Sequence, residues 1–337
     1  MRSSLQALLD EKPILLADGA TGTNFMEMGL EPGFPPDLWN LSETQKPTAL
    51  HQMFVDAGSD IILTNTFGAN APRLKLHDAA DQTYAINKAG AELAGAVAQK
   101  ADRPVVVAGS VGPTGELFEP MGEMTDKAAF DFFHEQMRGL KDGGADVIWI
   151  ETMSAAEEIQ AACNAAIALD MPYVFTASFD TAGKTMMGIA PENIGDVAQP
   201  LTVKPLAYGA NCGVGASDMV VSNQAMTKAA PGAVIVGKAN CGIPIVKGKN
   251  TVYTGTPQIM QDFVQMAVDS GVRIVGGCCG TAPEHIAAMR KAVDAYTPRT
   301  PPTLDDIVTK IGPLMAPPSS DAALDRAKAR GERRRRR

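Results

Sequence analysis

Three cysteines stand directly after apolar runs of the chain, at positions where β-strands would end. Cys278 and Cys279 lie in the stretch 276–281 (GGCCGT), which follows an apolar run. Cys212 follows another apolar run within the stretch 209–213 (GANCG). If the three thiolates meet at one face of the fold, they can bind a zinc ion and leave one coordination position open, as catalytic zinc sites do.

A zinc ion held by three cysteines carries a net negative charge, which makes it a poor generator of hydroxide. Such a centre suits a fourth, exogenous thiol, because zinc lowers the pKa of a thiol and the electron-rich sulfurs keep the thiolate nucleophilic. The chemistry that this pattern predicts is displacement at carbon, in which a substrate sulfur attacks a methyl group.

Other interpretations of the cysteines stay open at this point. A single cysteine is more often a small buried hydrophobe than a ligand, and Cys163, on a predicted helix, fits that description. Cys241 follows a further apolar run and could be a fourth ligand, which would close the site and make it structural. In a reducing compartment the five cysteines are expected as free thiols or metal ligands rather than disulfides.

The elements that must position these cysteines follow from the apolar pattern. Eight β-type runs that end in glycine or polar residues alternate with helix-like stretches such as 128–137 and 156–168. The runs are continuously apolar, as in parallel strands that are covered on both faces. They lie at 14–18, 61–65, 105–109, 147–151, 173–177, 206–210, 233–237 and 273–276.

Eight β/α units predict an α/β fold with a single (β/α)8 TIM barrel, and a doubly wound open sheet is the alternative. In a barrel, the active site forms where the strands end, so Cys212 and the pair Cys278 and Cys279 would share one rim. Both cysteines of the pair can reach one ion only if the backbone turns there. Glycines 276, 277 and 280 would allow that turn, because glycine tolerates positive φ.

Composition and charge limit the classes of function. The net charge of −8 hides a basic end, since residues 326–337 hold eight Arg or Lys and one Glu, so the rest is more strongly acidic. An acidic body does not fit a nucleic-acid-binding domain. There is no apolar stretch of eighteen residues and no signal-peptide core near the N-terminus, so we expect a cytoplasmic protein without a membrane partner.

The local composition of the chain also predicts the domain organisation. Residues 1–297 are expected to form the barrel. Residues 298–337 read as a Pro-rich linker with a short helix at 304–311 and a disordered basic tail, rather than a second domain. The sequence favours neither a monomer nor a dimer.

Six motifs at the predicted strand ends, in order from about residue 13 to 295, together resemble the homocysteine S-methyltransferase family. That family includes betaine-homocysteine methyltransferases, S-methylmethionine-dependent enzymes and the homocysteine module of cobalamin-dependent methionine synthase. The motifs are 18–23 (DGATGT), 64–70 (TNTFGAN) with 73–74 (RL), 108–115 (AGSVGPTG), 151–152 (ET), 209–212 (GANC) and 276–281 (GGCCGT).

The resemblance implies a zinc-dependent enzyme that makes methionine. It implies that Cys212, Cys278 and Cys279 are the zinc ligands and that the homocysteine thiolate is the fourth. The chain as a whole looks most like stand-alone bacterial proteins assigned as betaine-homocysteine S-methyltransferases.

The resemblance also implies how the amino-acid head group is bound. Glu151, at the end of the fourth strand, matches the carboxylate that pairs with the homocysteine ammonium, and Asp18, at the end of the first, matches a second polar contact. Backbone N–H groups of Gly19 and Ala20 are expected to bind the carboxylate. Without the resemblance, Glu151 would be interpreted as a helix N-terminal charge and Asp18 as a turn residue.

The methyl donor depends on other positions. Betaine is a quaternary ammonium, which aromatic faces bind. Trp39 is the first candidate and Phe67 the second, and a hydrophobic plug on the first loop is the alternative interpretation of Trp39. Gly68 and Thr152 stand where the animal betaine enzymes have tyrosines that help enclose betaine. The expected donor is betaine or a related onium. The alternatives are a subunit that takes methyl from a separate corrinoid protein, and a non-catalytic zinc-binding barrel.

Overall fold

The computed structural model describes residues 2–242, 244–247 and 250–315, so the basic tail at 326–337 lies outside the described residues. All eight apolar runs form strands, which are β1 (Leu15–Leu16), β2 (Ile61–Leu63), β3 (Val106–Val111), β4 (Val147–Met153), β5 (Tyr173–Ala177), β6 (Ala207–Cys212), β7 (Ile235–Ala239) and β10 (Val272–Gly277). They pair in parallel in the order β1-β10-β7-β6-β5-β4-β3-β2.

The two outer strands of that order also meet, which closes the sheet. Ala17 forms a parallel bridge with Ile61, and the N–H of Asp18 donates to the carbonyl of Ile61 at 3.0 Å. The predicted (β/α)8 barrel is therefore confirmed, and the open doubly wound sheet is not found. An antiparallel hairpin, β8 (Pro244–Lys247) with β9 (Asn250–Tyr253), is inserted between the last two barrel strands and was not predicted.

Helices surround the barrel, and their first residues explain where several of them begin. Thr125 and Thr256 each accept a backbone N–H at the start of a helix, and Pro257 and Pro283 occupy first turns. The α-helices are α1 (Leu5–Glu11), α2 (Gly22–Glu27), α3 (Trp39–Ser42), α4 (Gln45–Asp56), α5 (Ala71–Lys75), α6 (Thr83–Lys100), α7 (Asp126–Asp142), α8 (Ala156–Ala168), α9 (Ala216–Ala229), α10 (Pro257–Asp269), α11 (Pro283–Asp294) and α12 (Leu304–Lys310).

One β/α unit departs from the expected pattern. Between β5 and β6 the chain forms a 3-10 helix, Pro191–Ala198, in place of an α-helix. Shorter 3-10 helices lie at Pro36–Leu38 and Ala80–Gln82. None of the helices in the described part of the chain has both the length and the apolar character that crossing a membrane requires.

The strands are apolar on both faces because each face packs against a different layer. Val106, Trp149 and Val236 belong to the cluster that fills the barrel, which Leu5 and Leu8 of α1 join. Val107, Ile148 and other residues that alternate with these belong to the cluster that the outer helices share. A filled barrel leaves its active chemistry to the strand ends.

The segment after the barrel packs against α9 as far as the structure describes it. Ser217 Oγ donates to the carbonyl of Gly312 at 2.8 Å, and Gln224 Nε2 donates to the carbonyl of Pro302 at 2.7 Å. The predicted short helix near residue 304 is present as α12, and its Ile307 is fully buried.

Candidate metal centre and head-group site

The structure brings the three cysteines together at the end of the barrel where the strands finish. Cys212 is the last residue of β6, and Cys278 and Cys279 follow β10. Their sulfur atoms all lie within 4.8 Å of one another, and the Sγ atoms of Cys212 and Cys279 are 4.0 Å apart. All five cysteines are free thiols, as expected.

Local backbone turns aim the three sulfurs at one point. Cys212 has φ of 61°, a left-handed conformation that is uncommon for a residue with a Cβ. After β10, Thr281 N–H donates to the carbonyl of Cys278 at 3.0 Å and Gly280 has φ of 77°, so the chain turns at the cysteine pair.

The expectation that Gly276 and Gly277 also supply positive φ was wrong, since of the three glycines only Gly280 has it. Glycine is needed at these two positions for another reason, because neighbouring side chains leave no room for a Cβ. A Cβ on Gly276 would lie 2.9 Å from Cγ of Lys238, and a Cβ on Gly277 would collide with the side chain of Thr281. Close packing of β10 against its neighbours therefore requires glycine at both positions.

Asn211 supports the cysteine cluster from the side. Its Oδ1 accepts the N–H of Thr152 at 2.8 Å and the hydroxyl of Thr176 at 2.6 Å, and its Nδ2 lies 3.8 Å from Sγ of Cys278. Thr152 has φ of 62°, which is strained for a β-branched residue. Strain held by side-chain hydrogen bonds indicates that this rim is shaped for a site.

The three thiols fit a zinc ion. Thiolate sulfur is a preferred zinc donor, and two sulfurs on a tetrahedral zinc lie about 3.8 Å apart, since each Zn–S bond is about 2.3 Å. The observed 4.0 Å between Cys212 and Cys279 needs little adjustment. Cys212, Cys278 and Cys279 form the complete set of His, Cys, Asp and Glu donors within reach of that point in the described chain, which leaves a fourth position open.

Without a cation the cysteine cluster stays protonated at neutral pH. The hydrogen bond with Cys212 is the largest cause that raises the pKa of Cys278, although its bond with Cys279 opposes the rise and burial adds to it. For Cys212, the hydrogen bond with Cys278 lowers the pKa, but the bond with Cys279 and burial outweigh it and raise the pKa to about 12. Metal binding would therefore release protons.

The other two cysteines lie elsewhere. Cys163 is fully buried in the helix layer, as expected for a core residue. Cys241 is also buried, and its sulfur is 2.6 Å from the position that a Cβ on Gly255 would take. Its sulfur does not belong to the cluster, so the structure does not support Cys241 as a closing fourth ligand.

Tyr253 is a neighbour of the cluster that the sequence did not reveal. It ends the inserted strand β9, and its side chain is hydrogen-bonded to that of Cys279. A Cβ on Gly280 would collide with its ring. No local pattern links a hairpin tyrosine to a cysteine pair so far along the chain, and only the tertiary structure shows the contact.

Asp18 and Glu151 lie inside the barrel end, near the cysteines, together with a lysine. Lys238 Nζ is 2.9 Å from Oδ1 of Asp18, and both side chains are almost fully buried. Glu151 accepts a 2.6 Å hydrogen bond from the hydroxyl of Ser110. Burial raises the pKa of Glu151, and the charge of Lys238 opposes that shift.

Lys238 was not singled out from the sequence, although a signal was available. It is a lysine within the buried strand β7, directly before the strand end at Ala239. A charged residue in such a run is almost never fully buried unless it is paired. Its register partners are Asn211 on β6 and Gly276 on β10, which places it in the layer beneath the cysteines.

The predicted carboxylate-binding backbone is only partly available. The N–H of Ala20 already donates to the carbonyl of Thr281 at 3.0 Å, so Ala20 cannot hold a substrate carboxylate in this conformation. Gly19 lies beside it, and a Cβ there would be 2.5 Å from the same carbonyl and 2.9 Å from the ring of Phe54. Close approach of the two loops explains this glycine.

The two aromatic candidates have different surroundings. Trp39 is buried in the helix layer, where its ring packs against Phe25 at 5.1 Å between centroids and has the ammonium of Lys46 4.1 Å from its own centroid. This leaves little of the Trp39 ring for a ligand. Phe67 is only half-buried, and the guanidinium of Arg73 lies 5.9 Å from its centroid.

Gly68 and Thr152, which stand where the animal betaine enzymes have tyrosines, both form hydrogen bonds within the protein. Gly68 N–H donates to Oδ1 of Asp37 at 2.9 Å, and burial raises the pKa of Asp37 to about 6. Thr152 is hydrogen-bonded to Asn211 through both its N–H and its hydroxyl. Neither position supplies an aromatic wall.

Comparison with known proteins gives a consistent result. A family model described as homocysteine S-methyltransferase matches residues 15–293. Methionine synthase from Mycobacterium leprae is 27% identical over 346 residues, which cover 95% of this chain and 28% of that protein. This chain therefore spans somewhat more than a quarter of the length of that relative.

Two solved structures have the same fold. The metallated form of the homocysteine methyltransferase MmuM from Escherichia coli superposes with a TM-score of 0.71 at 23% identity, covering 85% of this chain and 99% of that one. The apo form of the same protein has a TM-score of 0.66 at 21% identity, covering 86% of this chain and 99% of that one.

Proposed function

This chain belongs to the homocysteine S-methyltransferase family, and from that premise we propose that it makes methionine by methylating homocysteine at a zinc centre, with betaine or a related onium as the methyl donor. The observation that carries the proposal is the cysteine cluster. Three thiols from two distant segments converge at the end of the barrel and leave a fourth position for a substrate thiol.

Cys212, Cys278 and Cys279 would hold the zinc ion. When bound, zinc lowers the pKa of a thiol that coordinates it and so favours the thiolate, which is the nucleophilic form of sulfur. Asn211 would keep Cys278 in place through its 3.8 Å contact with the sulfur.

Glu151 would bind the ammonium of homocysteine. Ser110 donates to Oε1 and fixes the carboxyl group, whereas no described residue donates to Oε2. That oxygen can accept a charge-assisted hydrogen bond from the substrate. Because Glu151 and the cysteines share one end of the barrel, an amino acid held at Glu151 can extend its thiol toward the zinc ligands.

The reaction is a displacement at the methyl carbon of the donor. With betaine as the donor, the homocysteine thiol releases its proton to water, its sulfur forms a bond with the methyl carbon, and the bond between that carbon and the betaine nitrogen breaks. The electron pair of the broken bond stays on nitrogen, so a quaternary ammonium becomes a neutral amine. The residues contribute by holding the two substrates in line.

Of the two aromatic candidates, Phe67 is better placed to contact an onium donor, since it is half-buried and Trp39 is enclosed. The face of an aromatic ring attracts a quaternary ammonium through its quadrupole. Trp39 remains part of the proposal only as support for the first loop, where it packs on Phe25.

A second function has its own support. The match to a methionine synthase supports a methyltransferase that receives its methyl group from a corrinoid carrier protein. A barrel that binds zinc without turnover would have the same cysteine cluster.

The test uses the purified, zinc-loaded protein with homocysteine and, separately, betaine, dimethylsulfoniopropionate, S-methylmethionine and methylcobalamin, with methionine measured by mass spectrometry. Methionine from betaine or another onium is the expected result. Methionine from methylcobalamin alone would favour the second function. No methionine from any donor, with zinc still bound, would mean that the barrel only binds.

A further inference from the structure

Two carboxylates and one ammonium are enclosed together at the end of the barrel. The side chains of Asp18 and Lys238 are 3% and 2% exposed, and Glu151 is 7% exposed. Lys238 also lies 5.7 Å from the ring centroid of Trp149. With both carboxylates ionised, this group of three carries one net negative charge, which a single substrate ammonium would balance.

The two carboxylates are not equivalent. Both oxygens of Asp18 already accept hydrogen bonds, Oδ1 from Lys238 at 2.9 Å and Oδ2 from the N–H of Leu63 at 2.7 Å. Glu151 receives one described bond, from Ser110, and has an oxygen to spare. Asp18 is thus committed to the protein, whereas Glu151 is available to a ligand.

Lys238 is close enough to both carboxylates for its charge to act on each. The charge of Lys238 opposes the burial that raises the pKa of Asp18 and of Glu151, and Asp18 is the partner that it contacts. The flexible four-carbon stem of lysine allows its ammonium to turn from one carboxylate to the other if the first is removed.

We propose that Lys238 is a positioning residue that binds Asp18 and so leaves Glu151 as the single acceptor for the substrate ammonium. This inference rests on the proposed function, because the substrate is homocysteine. Asp18 then acts through Lys238 instead of touching the substrate. The two carboxylates to which the family resemblance gives one task then have separate tasks.

The proposal predicts a specific pattern among variants. In Asp18→Asn, the buried ammonium of Lys238 loses its opposite charge, and because a buried charge without one is costly it should turn to Glu151 and block the acceptor. Homocysteine binding should then weaken by about tenfold or more, as in Glu151→Gln. In the double variant Asp18→Asn/Lys238→Met, the blocking ammonium is gone, so affinity should return to within about threefold of the original protein.

The experiment is isothermal titration of homocysteine into the zinc-loaded protein and its variants, with zinc content and thermal unfolding recorded for each. The exposed Asp305→Asn is the matched control and should bind as the original protein does. A crystal structure of Asp18→Asn gives an independent readout, in which Lys238 Nζ should lie within hydrogen-bond distance of the Glu151 carboxylate.

Weak binding by the double variant, equal to that of Asp18→Asn, would overturn the proposal, because Asp18 would then contact the ammonium itself. If Asp18→Asn alone does not fold, comparison of the double variant with Glu151→Gln still decides, since the proposal requires the first to bind and the second to bind weakly. The titration needs no methyl donor. Homocysteine binding without methionine formation would therefore contradict the proposed function and leave this comparison intact.

Discussion

Asn211 Nδ2 lies 3.8 Å from Sγ of Cys278 and links the end of the sixth barrel strand to the turn after the eighth. The same side chain is hydrogen-bonded to Thr152 and Thr176 on the two preceding strands. Four segments of the barrel end are thereby joined around one thiol. A sulfur fixed in this way is prepared for a ligand before the ligand arrives.

Replacing Asn211 should therefore weaken metal binding without removing a ligand. Asn211→Leu removes the contact with Cys278 and the bonds that hold Thr152, and such supporting residues typically contribute about 10- to 100-fold to metal affinity. Competition with a chromophoric zinc chelator measures the change. The exposed Asn193→Leu is the control, and equal zinc affinity in both variants would argue against a supporting role for Asn211.

Removal of the Glu151 charge should weaken the binding of homocysteine but not the binding of the metal. A hydrogen bond to a charged group contributes about 1.5–3 kcal/mol, so Glu151→Gln should raise the KM for homocysteine by about 10- to 150-fold. Zinc content should be unchanged. Glu157→Gln makes the same change at an exposed position of α8 and should leave the KM as it was. Steady-state kinetics that show no difference between the two variants would remove Glu151 from the head-group site.

Replacing Phe67 should weaken the binding of the methyl donor alone. Phe67→Leu removes the ring face but keeps an apolar side chain, and a cation–π contact contributes about 0.5–2 kcal/mol, so the KM for betaine should rise by about 2- to 30-fold. The KM for homocysteine should not change. Phe130→Leu, at a half-buried position of α7, is the control. A rise in both KM values, or in neither, would count against a donor site at Phe67.

His51 should make stability depend on pH. Burial lowers its pKa from the ordinary 6.5 to about 4, and its Nε2 has no hydrogen-bond partner in the described structure. As the pH falls from about 6.5 to about 4, the unfolded chain takes up a proton that the folded protein refuses. The free energy of unfolding should fall by up to about 3 kcal/mol across that window, with no further loss from His51 below it.

Urea unfolding at about pH 7.5 and about pH 4.5 measures this contribution. His51→Leu should lose less stability on acidification than the original protein, because it has no group that must stay neutral. The exposed His77→Leu should behave as the original protein does. Identical losses in all three proteins would show that His51 does not carry the effect.

Much of the barrel could be predicted because its strands are apolar on both faces and end in glycine or polar residues. The meeting of Cys212 with the later pair followed from the same rule, since parallel strands end at one rim. The inserted hairpin and the 3-10 helix Pro191–Ala198 were not predicted, because short segments carry little periodic signal.

The contacts that could not be predicted join residues that are far apart along the chain. Asp18 and Lys238 are 220 positions apart, and no local pattern indicates that one neutralises the other. The bond between the N–H of Ala20 and the carbonyl of Thr281 likewise depends on the packing of two loops. Motifs identified the candidate residues, but the structure was needed to show which of their atoms are free.

Zinc content per chain, measured by elemental analysis for the original protein, Cys278→Ser and Cys241→Ala, tests the central claim most directly. Cys278 lies in the cluster and Cys241 lies outside it, although both thiols are near the ends of neighbouring strands. The account predicts about one zinc per chain in the original protein and in Cys241→Ala. It predicts that Cys278→Ser loses most of its zinc and no longer forms methionine. Full zinc content in Cys278→Ser, or its loss in Cys241→Ala, would contradict the account.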